Sequence, residues 1–187
     1  MVAFWQSLFF IALAEMGDKS QLVALAFATR FSPRLVLTGI FVATLLVHLM
    51  SVAIGEALGL MLPTFWLTLA AGLAFVGFGA WTLRGDTLDD EGVSKARRFG
   101  PFVTVLLAFF VAELGDKTML ATITLAGQLQ EAVPVWIGST LGMVAADAAA
   151  VAIGLAAGKR LPVRTIKYGS AAVFILSGVL TLGGLVV

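Results

Sequence analysis

Long apolar segments separated by short polar ones run along the whole of this 187-residue chain. The five prolines fall between these segments, and proline favours the first turn of a helix and disfavours its interior. They divide the chain into six apolar segments, at about 3–28, 34–57, 65–84, 101–126, 134–158 and 167–187. Each segment is long enough to cross a hydrocarbon core of roughly 30 Å as a helix. The pattern predicts an all-α membrane protein with six transmembrane helices.

The composition agrees with this prediction and excludes several kinds of site. Hydrophobic residues make up 60% of the chain, and the mean hydropathy of +1.03 is too high for a soluble domain of this size. Disulfides and thiolate metal ligands are excluded because the chain has no cysteine. A haem held by two histidines of one chain is excluded because His48 is the only histidine.

The basic residues predict the orientation of the chain in the membrane. Apart from two lysines inside charged motifs, all lie in the first, third and fifth loops: Arg30, Arg34, Arg84, Lys95, Arg97, Arg98, Lys159, Arg160, Arg164 and Lys167. Because Lys and Arg concentrate in cytoplasmic loops, the odd-numbered loops are expected in the cytoplasm and both termini outside. This orientation suits a multi-pass protein of the plasma (inner) membrane.

The second half of the chain repeats the first. Several residues recur 99 positions later, among them Gly39, Gly55 and Phe75, which become Gly138, Gly154 and Phe174. Since each copy contains three predicted spans, the second copy enters the membrane from the opposite side. The sequence therefore predicts an inverted 3+3 repeat, typical of secondary transporters. Its parts are a three-helix repeat at 1–84, a cytoplasmic linker at 85–100 and a second repeat at 101–187.

Two charged motifs lie inside apolar segments. They read Glu15-Met16-Gly17-Asp18-Lys19-Ser20 and Glu113-Leu114-Gly115-Asp116-Lys117-Thr118. A charge at the centre of a membrane helix costs roughly 2.5–3.5 kcal/mol on insertion scales. A cost incurred twice at matching places predicts one functional site built from two halves. The alternative is a set of structural salt bridges that fix helix packing.

The acids of the motifs are suited to binding a divalent cation. On a continuous helix Glu15 and Asp18 would share a face, and Glu15 would lie roughly 17 Å from the outer end. Glu113 and Asp116 would reach the same depth from the other side, so four carboxylates are expected to converge at the midplane. Hard divalent cations prefer such oxygen ligands. The four carboxylates and two motif lysines carry a net −2, which one divalent ion or two protons would neutralise, so metal and protons would compete for the same oxygens.

Other polar residues are expected to support this site. Gly17 and Gly115 would allow close helix approach or local unwinding. Lys19 and Lys117 would pair with the glutamates four residues earlier, while Ser20 and Thr118 would offer hydroxyls to the site or to their own helix. Gln21 follows the first motif, and Met119 occupies the equivalent place after the second. Asp147 and its repeat equivalent His48 are candidates for a proton relay or a supporting role, although a lone membrane histidine is often only a packing residue.

The doubled motif resembles that of the calcium/proton antiporter-2 family (uncharacterised membrane protein family 0016), which includes MneA-type bacterial manganese exporters. The signature is Glu-apolar-Gly-Asp-Lys/Arg-Ser/Thr, and both copies fit it at every position. The resemblance covers essentially the whole chain. It implies transport of manganese or calcium, with Glu15, Asp18, Glu113 and Asp116 as metal ligands. A glutamine after the motif is common in this family, so the resemblance also implies Gln21 as an amide ligand, whereas Met119 departs from a second one.

The favoured function is therefore export of Mn²⁺ in exchange for protons, by a protein that is not an enzyme and has no permanently bound cofactor. Calcium/proton exchange is the alternative within the same class. Two other classes remain open, an intramembrane aspartyl protease and a non-transporting membrane subunit. The expected partners are the metal ion, protons and the lipid bilayer, with no nucleic acid; a homo-oligomer is left open.

Overall fold

A computed structural model describes residues 1–84, 100–157 and 163–185 of the chain, and these residues fold entirely into helices and the turns between them. Eight helices are present in the described part: α1 (Val2–Glu15), α2 (Lys19–Ala28), α3 (Pro33–Met61), α4 (Thr64–Arg84), α5 (Gly100–Glu113), α6 (Lys117–Leu129), α7 (Ala132–Ala157) and α8 (Val163–Gly183). The prediction of an all-α protein is confirmed.

The four prolines in the described part of the chain lie at or near helix starts, as the sequence predicts. Pro33 is the first residue of α3, where the Ser32 side chain accepts a hydrogen bond from the Leu35 amide at 3.4 Å. Pro63 immediately precedes α4, and Pro101 is the second residue of α5. Such positions suit proline because the first amides of a helix have no partner within it. Pro162 and nearly all of the predicted linker at 85–100 lie outside the described residues.

The first and fourth apolar segments are each divided into two helices at the charged motif. Helix α1 ends at Glu15 and α2 begins at Lys19, while α5 ends at Glu113 and α6 begins at Lys117. Local unwinding, one of the two roles predicted for the motif glycines, is therefore confirmed. The shared helical face predicted for Glu15 and Asp18 is wrong, because the aspartate lies in the turn after the helix has ended.

Three helices of the described part are long and apolar enough to cross a membrane. They are Pro33–Met61, Thr64–Leu83 and Ala132–Ala156, with mean hydropathies of 2.3, 1.5 and 1.6. Helices α1 and α5 and the Ala171–Gly183 part of α8 are apolar but shorter. The chain is thus a membrane protein by length and composition of its helices.

Helices α3 and α7 hold the two broken segments in place. Helix α1 packs along α7, and α3 packs against α5, α6 and α7, while α4 and α8 form a pair. Two apolar cores lie between these elements. The larger includes Ile11, Phe75 and Phe174, and the second includes Ile40, Val105 and Phe109. The charged motifs are therefore carried by helices that are packed on several sides.

Glycines allow the closest helix contacts, and the contacts repeat between the two halves. A Cβ added to Gly55 on α3 would lie 2.4 Å from the carbonyl oxygen of Ile123, and one added to Gly154 would lie 2.6 Å from the Leu25 side chain. Leu25 and Ile123 are 98 positions apart, the same offset as the motifs. The two halves thus pack α3 on α6 and α7 on α2 through equivalent residues, as small residues allow in membrane helices.

Replacement of Gly55 by alanine should destabilise the protein, because the new methyl group would meet a backbone oxygen that no side-chain rotation can move away. We expect a loss on the order of 1–3 kcal/mol, typical of overpacking. Thermal unfolding in detergent measures it. Gly77→Ala is the matched control, since a Cβ there meets nothing within 4 Å. Equal melting temperatures for the two variants would contradict the close contact.

Candidate cation site

The two motifs fold into the same turn. Gly17 and Gly115 both have a φ of 79°, in the left-handed region that favours glycine, and this conformation ends the preceding helix. The Gly17 amide donates to the Gln21 side-chain oxygen at 2.9 Å, and the Gly115 amide donates to the Met119 sulfur at 3.2 Å. In each motif, the side chain four residues after the glycine therefore accepts a hydrogen bond from the glycine amide and stabilises the turn.

Gln21 therefore has a structural role here, because both ends of its side-chain amide are hydrogen-bonded. Its amide oxygen is taken by Gly17, and its amide nitrogen donates to the carbonyl oxygen of Ala146 on α7 at 3.1 Å. The predicted role as a metal ligand would require the oxygen to leave the turn. Met119 accepts the equivalent hydrogen bond through sulfur, which explains how the second motif keeps its turn without an amide.

Each motif glutamate ends its helix and accepts a hydrogen bond from the hydroxyl five residues later. Glu15 and Glu113 are 0% and 2% exposed. Ser20 Oγ donates to Glu15, and Thr118 Oγ1 donates to Glu113 at 2.7 Å. The sequence predicts that the hydroxyls bond either to groups of the site or to their own helix, and these contacts agree with the first role. They hold the glutamate carboxylates over the first turn of the following helix.

An ion pair joins the two motifs. Lys117 Nζ lies 2.9 Å from Asp18 Oδ2, and the two side chains are 4% and 1% exposed. The helix break between Glu113 and Lys117 removes the continuous-helix geometry on which their predicted i, i+4 pairing rests. Lys19 begins α2, and its side chain lies outside the described residues.

The acids of the two motifs lie within electrostatic range of one another. Glu15 interacts with Glu113, Asp18 and Lys117. Glu113 interacts with Asp116, which precedes α6 as its N-cap residue and is buried. The structure thus brings together all four predicted ligands. They are not closed around a common point, however, since no three His, Cys, Asp or Glu side chains of the described part are placed to hold a metal ion.

Asp147 joins this group of acids from α7. It is 0% exposed and interacts electrostatically with Glu15, Asp18 and Glu113. Neither of its carboxyl oxygens has a hydrogen-bond partner in the described part of the chain, and the same holds for Oε2 of Glu15. Buried carboxyl oxygens without partners are uncommon, and they are suited to receive a proton, a water or a cation. Asp147 therefore lies beside the acids of both motifs, although the sequence places it on a different helix.

His48 lies on α3, which is the equivalent of α7 in the first half of the chain. It is buried, and neither ring nitrogen has a hydrogen-bond partner among the described residues. One helical turn earlier, Thr44 Oγ1 contacts the sulfur of Met143 at 3.4 Å, and these two residues are repeat equivalents 99 positions apart. Helices α3 and α7 thus meet at equivalent points. The proton-relay role of His48 stays a prediction.

Three buried hydroxyl residues, on α1, α4 and α7, could not be predicted as notable from the sequence. Ser7, Thr82 and Thr140 have buried side-chain oxygens without hydrogen-bond partners in the described residues. An isolated Ser or Thr in an apolar segment is common in membrane helices, so the sequence offers no signal that separates these positions from ordinary packing residues.

Comparison with known proteins identifies the family. The family described as "Divalent cation/proton antiporter GDT1" matches residues 3–90 and 101–185. The chain is 37% identical to a Vibrio cholerae protein named "Putative manganese exporter", over 91% of this chain and 86% of that protein. It is 29% identical to GDT1-like protein sll0615 of Synechocystis, over 97% of each chain, and 26% identical to GDT1-like protein 5 of Arabidopsis thaliana, over 96% of this chain and 94% of that protein.

No solved structure matches the chain. The family match covers both halves, each with its own copy of the charged motif, and the predicted resemblance to divalent-cation antiporters is confirmed. The chain belongs to the divalent cation/proton antiporter GDT1 family.

Proposed function

We propose that this protein exports Mn²⁺ across the plasma (inner) membrane in exchange for protons, through one site formed by both motifs. The observation that carries the proposal is the buried ion pair between Lys117 of the second motif and Asp18 of the first, among carboxylates from both halves. In the proposed site Glu15, Asp18, Glu113 and Asp116 bind the ion.

The architecture that we propose for this function is a six-span inverted 3+3 repeat with both termini outside. Its units are 1–84 and 101–187, joined by a cytoplasmic linker at 85–100. Helices α1 and α2 contain 14 and 10 residues, and α5 and α6 contain 14 and 13. If the two helices of each broken segment are collinear, the segments reach roughly 36 and 40 Å, enough for one membrane crossing each. The equivalent contacts of Gly55 and Gly154, and of Thr44 with Met143, support a two-fold relation between the halves.

Lys117 acts in this proposal as a cation tethered to the protein. Its ammonium contacts Asp18 and interacts electrostatically with Glu15 and Asp116, so it would stabilise these carboxylates against one another when no metal is bound. A divalent ion would bind by displacing the ammonium from Asp18 and drawing the acids inward. This explains why the acids are close but not closed around a point in the structure.

Exchange for protons follows from the same carboxyl oxygens. Asp147 and Glu15 have buried oxygens without hydrogen-bond partners in the described part, and these oxygens suit protons when the metal is absent. Clustered acids share protons as a group, and a bound divalent ion would expel them. Metal and protons would then occupy the site alternately, which is the requirement for antiport.

Mn²⁺ is favoured over Ca²⁺ by the name of the Vibrio cholerae relative and not by the ligand set, since both ions accept carboxylate oxygens. Calcium/proton exchange is therefore the second candidate. An aspartyl protease would need two acids that share a proton, whereas Asp18 is paired with a lysine here.

Metal flux into proteoliposomes tests the proposal. The purified protein, with a pH-sensitive dye in the lumen, should take up Mn²⁺ while protons move the opposite way. The double variant Asp18→Asn, Asp116→Asn should lose at least 90% of both fluxes, because two of the four carboxylates can no longer carry charge. Glu131→Gln is the control, since it removes an exposed carboxylate outside the motifs.

Two results would contradict the proposal. Folded protein that moves neither ion would favour a non-transporting subunit. Mn²⁺ flux without any proton flux would remove the antiport mechanism while leaving metal transport in place.

Replacement of Lys117 separates its two proposed effects. Lys117→Gln should bind Mn²⁺ more tightly, on the order of tenfold or about 1.4 kcal/mol, because the ion no longer competes with an ammonium. Turnover should fall, since the metal-free site has lost the cation that neutralises it during return. Binding by calorimetry in detergent and turnover in proteoliposomes measure the two quantities.

Lys117→Arg is the matched variant because it keeps the positive charge beside Asp18. Its affinity for Mn²⁺ should stay near that of the unaltered protein. If Lys117→Gln weakened Mn²⁺ binding while melting at the same temperature as Lys117→Arg, the lysine would not be a competitor of the metal.

A further inference from the structure

A polar cavity lies at one end of the helix bundle, away from the charged motifs. Its volume is about 460 Å³, and it is bordered by α1, α4, α6 and α8. Its lining consists of Gln6, Phe10, Thr68, Phe75, Leu125, Gln128, Leu129, Ser177 and Thr181. Gln6 and Thr68 are near the starts of their helices, while Gln128 and Thr181 are near the ends, so the cavity is at the end of the bundle that the basic residues predict to face outside.

The cavity is lined by polar side chains, although the helices that carry them are mostly apolar. Two glutamines and three hydroxyl residues from four apolar helices converge on one space. Polar side chains within membrane helices usually face a partner or a water-filled cavity, because lipid offers them no hydrogen bonds. Thr181 Oγ1 donates to the Ser177 carbonyl oxygen of its own helix at 2.8 Å, and water in the cavity would satisfy the other four groups.

Two of the lining residues, Phe10 and Phe75, are aromatic and lie further along α1 and α4 than Gln6 and Thr68. Phe10 stacks on Phe75 with ring centroids 5.3 Å apart, and Phe174 lies 6.1 Å from each of them. Phe75 and Phe174 are repeat equivalents and are 3% and 0% exposed. Closely packed apolar rings exclude water, and a constriction of this kind blocks ions without a fixed charge.

Helix α6 connects the cavity to the charged cluster. Gln128, Leu125, Ala121 and Thr118 are spaced by three, four and three residues, which places them on one face of the helix. Gln128 and Leu125 line the cavity, and Thr118 holds the Glu113 carboxylate. The distance along the helix from Gln128 to Thr118 is about 15 Å. The same face thus runs from the cavity, past the aromatic rings, to the proposed cation site.

We propose that this cavity is the outer vestibule of the ion pathway, where a hydrated divalent cation is held by neutral oxygens, and that Phe10, Phe75 and Phe174 are its closed gate. This inference rests on the proposed function. Six waters at about 30 Å³ each occupy roughly 180 Å³, so the cavity has room for a cation with its first hydration shell. Neutral amide and hydroxyl oxygens suit such an ion because they replace outer water without binding it too tightly to leave.

Cysteine labelling tests the vestibule, since the native chain has no cysteine that would react. Ser177→Cys and Thr181→Cys place thiols on the cavity wall. Leu176→Cys and Leu180→Cys are matched controls at the same depths, on residues that are 60% and 67% exposed on the outer surface of the bundle, where lipid is expected. Thiols react with maleimides as thiolates, which form in water and not in lipid.

In intact cells treated with a membrane-impermeant maleimide, the two cavity cysteines should react at least tenfold faster than their neighbours. Labelling of Ser177→Cys should then block Mn²⁺ flux in proteoliposomes, compared with the same variant before labelling. Equal rates for cavity and control cysteines, or labelling only after the cells are permeabilised, would overturn the outer vestibule.

The gate is tested with a cysteine on its inner side. Thr122 is fully buried one turn closer to the motif than Leu125, so Thr122→Cys should be unreactive. Adding Phe10→Ala, which removes one ring of the gate, should make this cysteine reactive at least tenfold faster. An unchanged rate in folded protein would overturn the gate.

Labelling reports access of water and does not depend on transport. If the labelling pattern held but the unlabelled protein moved no metal, the proposed function would fail and the vestibule would stand. If transport were intact and the cavity cysteines did not react, the vestibule would fail alone.

Discussion

The structure depends on how charged side chains are accommodated inside an apolar bundle. An unpaired buried charge costs several kcal/mol, and removing one partner of a buried pair typically costs about 3–5 kcal/mol. The pairing of Lys117 with Asp18 meets this constraint by joining the two halves of the chain. This pair requires both halves of the chain, because each half supplies one of its two partners. The ion pair therefore couples the packing of the two repeats to the charge of the site between them.

The broken helices are the second part of the same solution. A continuous helix would place each motif lysine over the glutamate of its own repeat, and the two halves would have no electrostatic reason to meet. The left-handed conformation of Gly17 and Gly115 ends the helix before the aspartate and starts a new helix at the lysine. With this turn, Lys117 pairs with Asp18 of the other repeat. The hydroxyls of Ser20 and Thr118 donate hydrogen bonds to Glu15 and Glu113.

Much of the fold could be predicted from hydropathy and proline, because both act locally along the chain. The helix starts near Pro33, Pro63 and Pro101 needed no knowledge of the partners that each helix contacts. The partner of Lys117 could not be predicted, since the choice between Glu113 and Asp18 depends on a positive φ at Gly115 and on the approach of the other repeat. The cavity between four helices was likewise hidden from the sequence, because its polar residues come from both halves and show no periodicity together.

In the function proposed above, both motifs form one cation site, and the Lys117 ammonium takes the place of the metal when none is bound. Anomalous X-ray diffraction at the manganese edge, from crystals grown with Mn²⁺, tests it most directly. A single anomalous peak is expected between the carboxylates of Glu15 and Glu113, with Lys117 Nζ no longer within 4 Å of Asp18. A peak remote from these residues, or the ion pair intact beside a bound Mn²⁺, would contradict it.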